Sequence, residues 1–213
     1  MKKIIWISSY PKSGNTWMRY LLGNYFYNQQ HADFNISKLI PQFPPKKILE
    51  KYLTPYKLKK NPYSIAEYWI KIQEDIKVKN HGLIFLKNHN ALLSINGNEF
   101  TKEDLSYASI YLVRDPRDIV ISYSHFMNKS FDEIIDRMCT DKLYHTFNNS
   151  DFSKIAFLGS WKFHYISWRD GIPNMPKIIV KYEDLLKDTK KYLLKVLNFL
   201  SNEISIEIKK DLV

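Results

Sequence analysis

Three short stretches of this chain bring together residue types that handle anions and protons. The first is YPKSGNTW at residues 10–17, where an apolar run ends in a Pro-Lys-Ser-Gly turn and apolar residues then recur at helical spacing through Trp17, Leu21, Leu22 and Tyr25. A strand turning into a helix gathers successive backbone N–H groups and the positive end of the helix at one point, which suits a phosphate. Gly14 lets the backbone approach a ligand closely, Lys12 adds a mobile charge, and Ser13 and Thr16 add hydroxyl donors. Lysine precedes the serine and glycine, so the order is not that of a Walker loop, and a common kinase or GTPase loop is disfavoured. In VRDPRDIVISYSHF at 113–126, Arg114 closes an apolar run and offers a planar fork to phosphate oxygens, with Ser122 two turns into the helix that follows. In LKNHNAL at 86–92, His89 carries an imidazole that titrates near neutral pH and can take up a proton and release it in every cycle. Taken singly, each has a plainer reading: a turn with a helix cap, a surface ion pair of Arg114 with Asp115, a structural histidine.

Taken together, the stretches resemble the family of sulfotransferases that use 3'-phosphoadenosine 5'-phosphosulfate (PAPS). Residues 10–17 are similar to its 5'-phosphosulfate loop, roughly YPKSGTTW, with Asn15 where threonine or glycine is more usual. Residues 113–126 resemble RNPKDVAVSYYHF, with arginine and serine at the same separation. LKNHNAL resembles KTHLP, matching at Lys87 and His89 and departing at Asn88, Asn90 and Ala91. GSWKFHYISW at 159–168 and VKYEDLLKDTKKYLLKVLNFL at 180–200 resemble two later family segments.

The resemblance implies an activity, the transfer of a sulfuryl group from PAPS to a hydroxyl or amine of an acceptor, leaving the product PAP. It implies that Lys12, Ser13, Gly14, Asn15 and Thr16 hold the 5' end of PAPS, with the Asn15 amide donating a hydrogen bond, Lys12 also acting on the leaving-group oxygen, and Trp17 completing the cofactor site by packing at the loop. Arg114 and Ser122 contact the 3'-phosphate, Tyr182 sits near the adenine, and His89 is the general base. No metal is required. Trp161 and Trp168 read better as core than as ligand contacts. The acceptor is shaped by residues 31–80 and 140–152, whose tyrosines, phenylalanines and lysines admit phenols, lipids, sugars or peptides. The family's RKGxxGDW segment has no counterpart; Lys209 and Lys210 replace it or the lid is absent. Two other readings stay open: a P-loop-type nucleotide kinase, and a PAP- or nucleic-acid-binding protein without catalysis.

These residues need a scaffold of alternating strands and helices. Apolar, β-rich runs predict strands over 3–9, 82–89, 108–114 and 177–182. Asp115 as cap and Pro116 in the first helical position predict a helix over 116–128, and further helices are expected over 131–139, 153–168 and 188–200. Thr-Lys-Glu-Asp from Thr101 reads as a capping box opening a helix. Between 31 and 80, five prolines leave room for one helix, 64–78, in an otherwise irregular covering segment. The alternation predicts an α/β fold with a central parallel sheet flanked by helices and a P-loop-like nucleotide-binding core, in one domain over 1–213.

With 213 residues, 45% of them hydrophobic, the chain can bury one sizeable core. Its formal charge of +10 favours anionic ligands without choosing among them, and the lysines are spread rather than gathered. Nucleic acid is not the expected partner; a small-molecule, glycan or lipid acceptor is, with a homodimer left open. The single Cys139 excludes an internal disulfide, fits a reducing compartment and falls in an apolar helical pattern that reads as core. The apolar run near the start breaks at Ser8 and Ser9, short of a signal sequence, and nothing approaches the length of a spanning helix, so a soluble cytoplasmic protein is expected.

Overall fold

Every residue of β1 (Ile4–Ser9) is buried, which marks it as a central strand covered on both faces. The computed structural model describes residues 4–27, 35–79, 84–140, 144–146 and 155–205. After β1 come α1 (Asn15–Tyr27), α2 (Ile36–Leu39), α3 (Lys46–Leu49), α4 (Pro55–Lys60), a 3-10 helix (Pro62–Tyr68) and α5 (Trp69–Lys79). The chain continues through β2 (Ile84–Asn88), the small ribbon β3 (Ser94–Ile95) and β4 (Asn98–Glu99), β5 (Ser106–Val113), α6 (Pro116–Met127) and α7 (Phe131–Cys139). An antiparallel pair, β6 (Tyr144–Thr146) and β7 (Ile155–Phe157), precedes α8 (Trp161–Asp170), β8 (Lys177–Lys181), α9 (Tyr182–Lys187) and α10 (Thr189–Ile204).

The sheet has the order β2-β1-β5-β8 and every pairing is parallel, as the α/β alternation predicts. Side chains of β1 divide between its faces. Ile5 and Ile7 pack with Met18 and Leu22 of α1 and Val196 and Leu197 of α10. Ile4 and Trp6 meet Trp69 and Ile72 of α5 and Trp168 of α8. The order reverses direction at β1, so the strand ends there open a crevice at their C-terminal edge, where α/β sheets place ligands.

The segment over 31–80 is more ordered than its prolines suggest; 31–34 and residue 80 lie outside the described residues. Pro55 and Pro62 occupy first helical positions behind the caps Thr54 and Asn61, and Pro45 precedes α3, so the prolines start short helices instead of interrupting one. Their apolar residues, among them Leu49, Leu53, Leu58 and Ile65, form a layer of the core. The expected 64–78 helix is 3-10 up to Tyr68 and α-helical from Trp69. Ahead of it, Pro41–Phe43 runs beside β2: Lys87 N–H donates to Pro41 O (2.9 Å) and Phe43 N–H to Lys87 O (2.8 Å).

Three local expectations are corrected. No helix opens at Thr101: the chain makes one turn, with Ser106 N–H donating to Lys102 O (3.0 Å), and enters β5. The Thr101 hydroxyl is buried, donating to Gln73 Oε1 (2.6 Å) and sharing a hydrogen bond with Ser106 Oγ (2.7 Å), which also accepts from Trp6 Nε1 (2.8 Å). The helix expected over 153–168 is instead β7 followed by α8, because Gly159 takes a left-handed φ of 63° and Ser160 caps a new helix. Cys139 is exposed; Ile134 and Met138 are the residues of α7 that face the core. Helix α6 begins on Asp115 and Pro116 as expected, and α7 matches its range, opened by a Ser130–Glu133 capping box that the sequence reading missed. No helix among the described residues is long and apolar enough to cross a membrane.

Replacing Thr101 by Val strands Gln73 Oε1 and weakens the support of Ser106 in the core. Urea denaturation is expected to show a loss of about 1–3 kcal/mol, the cost of an unsatisfied buried polar group.

Candidate active site

The C-terminal ends of the strands, taken across the sheet, present Gln42 beside β2, Lys87 and His89 from β2, the 10–16 loop from β1, Arg114 from β5 and Tyr182 from β8. All of these line one cavity of about 510 Å³, with Trp17, Ser122 and Phe126 completing its wall. Of the residues expected to hold a nucleotide, the cavity is lined by Lys12, Gly14, Asn15, Thr16, Trp17, Arg114, Ser122 and Tyr182. Ser13 sits behind the loop, 1% exposed, and its hydroxyl has no hydrogen-bond partner among the described residues.

The loop leaves β1 through two left-handed residues, Lys12 (φ 69°) and Gly14 (φ 91°). A Cβ on Gly14 would lie 2.7 Å from Tyr182 Cδ2, so glycine admits both the backbone conformation and the ring. Arg114 holds the Lys12 turn by donating from Nη1 to Lys12 O (3.1 Å). Its guanidinium stacks 4.3 Å from the Tyr182 ring centre, and Trp17 meets that ring edge-on at 5.9 Å. Arg114 does not pair with Asp115, whose carboxylate caps α6 and binds Arg117 (2.5 Å). Arg114 Nε is buried without a partner among the described residues. Lys12 Nζ rests 4.5 Å from the Phe126 ring centre, and burial, with the neighbouring Arg114 charge, holds its ammonium below the ordinary lysine range.

Asn15 differs from expectation. Its amide turns away from the cavity, donating to Ile7 O (2.9 Å) and Ser9 Oγ (3.2 Å), so the residue lines the cavity without offering that amide to a ligand. Asn88 and Asn90 flank His89 and bond to each other: Asn90 N–H and Nδ2 both donate to Asn88 Oδ1 (2.9 and 2.8 Å), and Asn88 Nδ2 donates to Asn90 O (2.8 Å). Asn90 Oδ1 accepts from Phe157 N–H and its carbonyl from Trp168 Nε1, each at 2.9 Å, which fastens the turn to β7 and α8.

His89 is 8% exposed, and its Nδ1–H donates to the Ser9 carbonyl (2.8 Å). A carbonyl can only accept, so the neutral ring carries its proton on Nδ1 and has Nε2 as its acceptor nitrogen. Burial, and secondarily the Lys87 charge, hold the imidazole well below its usual pKa. Behind it, fully buried His164 donates from Nε2 to His89 O (3.0 Å) and accepts at Nδ1 from the Tyr111 hydroxyl (2.9 Å).

A match to the sulfotransferase domain covers residues 2–213. The chain belongs to the sulfotransferase family. It is 26% identical over 208 residues to luciferin sulfotransferase of Photinus pyralis, covering 93% of this chain and 51% of that protein. It is 23% identical over 209 residues to sulfotransferase 1A1 of Bos taurus, covering 94% of this chain and 60% of that one. The chain thus spans about half to three fifths of the length of these curated relatives. Mouse sulfotransferase SULT7A1, solved in complex with PAP, has a similar fold, with a TM-score of 0.55, 17% identity, and coverage of 99% of this chain and 61% of that one.

In this sulfotransferase domain, the sequence reading missed Gln42 and Phe126 as cavity residues. Phe126 closes the quoted 113–126 stretch and was legible there; Gln42 reaches the cavity through a backbone pairing beside β2 that no local pattern announces. Trp168 is buried, as expected, whereas Trp161 is half-buried and stacks on Tyr165 at 6.0 Å. Lys209, Lys210 and most of 140–152 lie outside the described residues.

His164 supplies a pH test of this architecture. Burial lowers its pKa from 6.5 to about 4, so between those values the unfolded chain binds a proton that the folded protein refuses. Stability is then fully present above pH 6.5 and falls by about 3 kcal/mol as pH drops toward 4, with His89 acting in the same direction. Denaturant midpoints measured from pH 8 to 4 should show that fall, and a His164→Gln variant should show a shallower one.

Proposed function

We propose that this chain binds PAPS in the cavity at the C-terminal edge of its sheet and transfers the sulfuryl group to a hydroxyl or amine, with His89 as general base. The observation that carries the reading is the buried, unpartnered Nε of Arg114 on the wall of a cavity that also holds the cations Lys12 and Lys87 and no carboxylate among its described lining residues. Such a wall favours an anion that bears several negative charges. The residues fit the two ends of PAPS: backbone amides of 12–16 and Lys12 for the 5'-phosphosulfate, Arg114 and Ser122 for the 3'-phosphate, and Tyr182 for the adenine, with Trp17 packed at the loop against the Tyr182 ring. The PAP complex of the mouse relative supports this choice of ligand.

PAPS supplies an activated sulfuryl group whose leaving group is a phosphate. The chain's own residues supply position and charge, which is most of what such a transfer needs. Lys12 is free to leave the Phe126 face for the leaving-group oxygen. Neutral at physiological pH, His89 accepts the acceptor's proton at Nε2, and the imidazolium so formed is stabilised by anionic charge nearby. The adenosine end lies toward Tyr182 and the base toward Gln42, so the acceptor enters from the Gln42 side. Its chemical class among small molecules, sugars and lipids is set there. A cytoplasmic, metal-independent enzyme is part of the same reading.

Titration calorimetry should show PAP binding by the wild type, weakened roughly ten- to hundred-fold in Arg114→Ala. With labelled PAPS and a panel of phenols, amines and sugars, Lys12→Ala should abolish sulfate transfer. His89→Ala should lower turnover by roughly 10²–10⁴-fold while PAP affinity holds. The acid limb of kcat/KM should fall below pH 6.5, because the His89 pKa is depressed. Near-normal turnover of His89→Ala would place the base elsewhere; PAP binding without transfer to any acceptor would make the chain a binding protein.

A further inference from the structure

Asn15 occupies the first position of α1 and lines the cavity, yet its amide NH₂ donates into the protein. Both of its amide contacts are oxygens, Ile7 O at 2.9 Å and Ser9 Oγ at 3.2 Å. The NH₂ group must therefore face them, since the amide oxygen there would confront a carbonyl. Ser9 is the last residue of β1 and is fully buried. Its carbonyl accepts from His89 Nδ1 at 2.8 Å, and its hydroxyl, already accepting from Asn15, lies 3.4 Å from the same nitrogen. Two oxygens of one residue thus face His89 Nδ1, and Asn15 bonds to the residue that carries both.

We propose that Asn15 is a positioning residue for His89: through Ser9 it holds the ring in the Nδ1–H tautomer, so that Nε2 is the acceptor nitrogen. The catalytic meaning of this brace rests on His89 being the base proposed above; the brace itself does not. The Asn15 N–H engages one lone pair of Ser9 Oγ and so limits the directions left to its O–H; without the amide the hydroxyl is freer to turn that O–H toward Nδ1, in competition with the bond from Nδ1–H to the Ser9 carbonyl. In that orientation a hydroxyl favours the opposite tautomer, with the proton on Nε2. The loop that receives the nucleotide and the ring that receives the proton are then coupled through two side chains. Its membership of the nucleotide loop gives Asn15 this reach. Asn15 lines the cavity while its NH₂ braces the base, so a shift of the loop moves both.

Nitrogen resonances of the imidazole in ¹⁵N-histidine-labelled protein report the tautomer directly; a His89→Gln variant assigns the signals among the six histidines. Wild-type protein should show His89 protonated at Nδ1. In Asn15→Ala the tautomer ratio should move toward Nε2–H by about five-fold, the scale of one net hydrogen bond. Ser9→Ala, which removes the hydroxyl but keeps the carbonyl, should leave His89 protonated at Nδ1 and, combined with Asn15→Ala, should cancel its shift; Asn15→Leu, which also lacks the donor, carries the test should Asn15→Ala fail to fold. Unchanged His89 signals in Asn15→Ala and Asn15→Leu would overturn the proposal. A tautomer shift accompanied by wild-type turnover would keep the brace and remove His89 from the role of base.

Discussion

The hydrogen bond from His89 Nδ1–H to the carbonyl of Ser9 joins the end of β2 to the end of β1 at the point where the sheet opens. Both strands are buried where they end, so neither polar group has water to turn to, and each leaves a substantial cost if unpaired. The bond therefore sets where the 10–16 loop departs relative to the imidazole. His164 repeats the constraint from behind by donating to the backbone of the same histidine, and Tyr111 on β5 holds His164 in turn. Strands β1, β2 and β5 and helix α8 are thereby tied to one ring through side-chain chemistry added to the sheet's own ladder.

Charge in the cavity is arranged in the opposite spirit, with little internal compensation. Burial depresses both Lys12 and His89, and the neighbouring cations, Arg114 beside the lysine and Lys87 beside the imidazole, push in the same direction. Clustering cations in a partly buried site is unfavourable until an anion arrives, and the aromatic faces of Phe126 and Tyr182 relieve only part of that repulsion. A buried imidazole of low pKa is a weak proton acceptor in such a field. A polyanion bound in the cavity would shift the imidazole in the favourable direction, so occupancy of the cavity and the basicity of His89 would rise together.

The two stretches that meet at the cavity were legible in the sequence because each is local: a strand, a turn and a helix start within fourteen residues or fewer. Helix α6 followed for the same reason, since Asp115 and Pro116 carry its start within two positions. What local pattern could not supply was partnership across distance. Thr101 has the spacing of a cap, but Gln73 and Ser106 claim its hydroxyl in the core. The 153–168 run has apolar residues enough for a helix, but Ala91 N–H and Asn90 bind Phe157 as an extended segment. Cys139 lies on an amphipathic helix one position past the last residue that faces inward. The prolines between 41 and 62 were read as breakers, whereas two of them are first helical residues, a distinction that depends on the caps before them.

Asn15, Asn88 and Asn90 stand where the sequence departs from its family's pattern, and all three are buried. An amide in such a place is tolerable only when most of its donors and acceptors are met: Phe157 and the asparagines themselves meet those of Asn88 and Asn90, and Ile7 and Ser9 accept from the Asn15 NH₂, while Asn15 Oδ1 stays buried without a partner among the described residues. The three departures meet at one residue, His89: Asn88 and Asn90 bracket its peptide unit in sequence, and Asn15 bonds to Ser9, whose carbonyl accepts from the imidazole. Networks of this kind are stiff when complete and costly when one member is lost, because the remaining buried groups are left without partners. Single reversions of these residues toward the family pattern should therefore disturb the site more than a joint replacement that restores a consistent set, since what the structure conserves is the satisfaction of the turn rather than any one of its side chains.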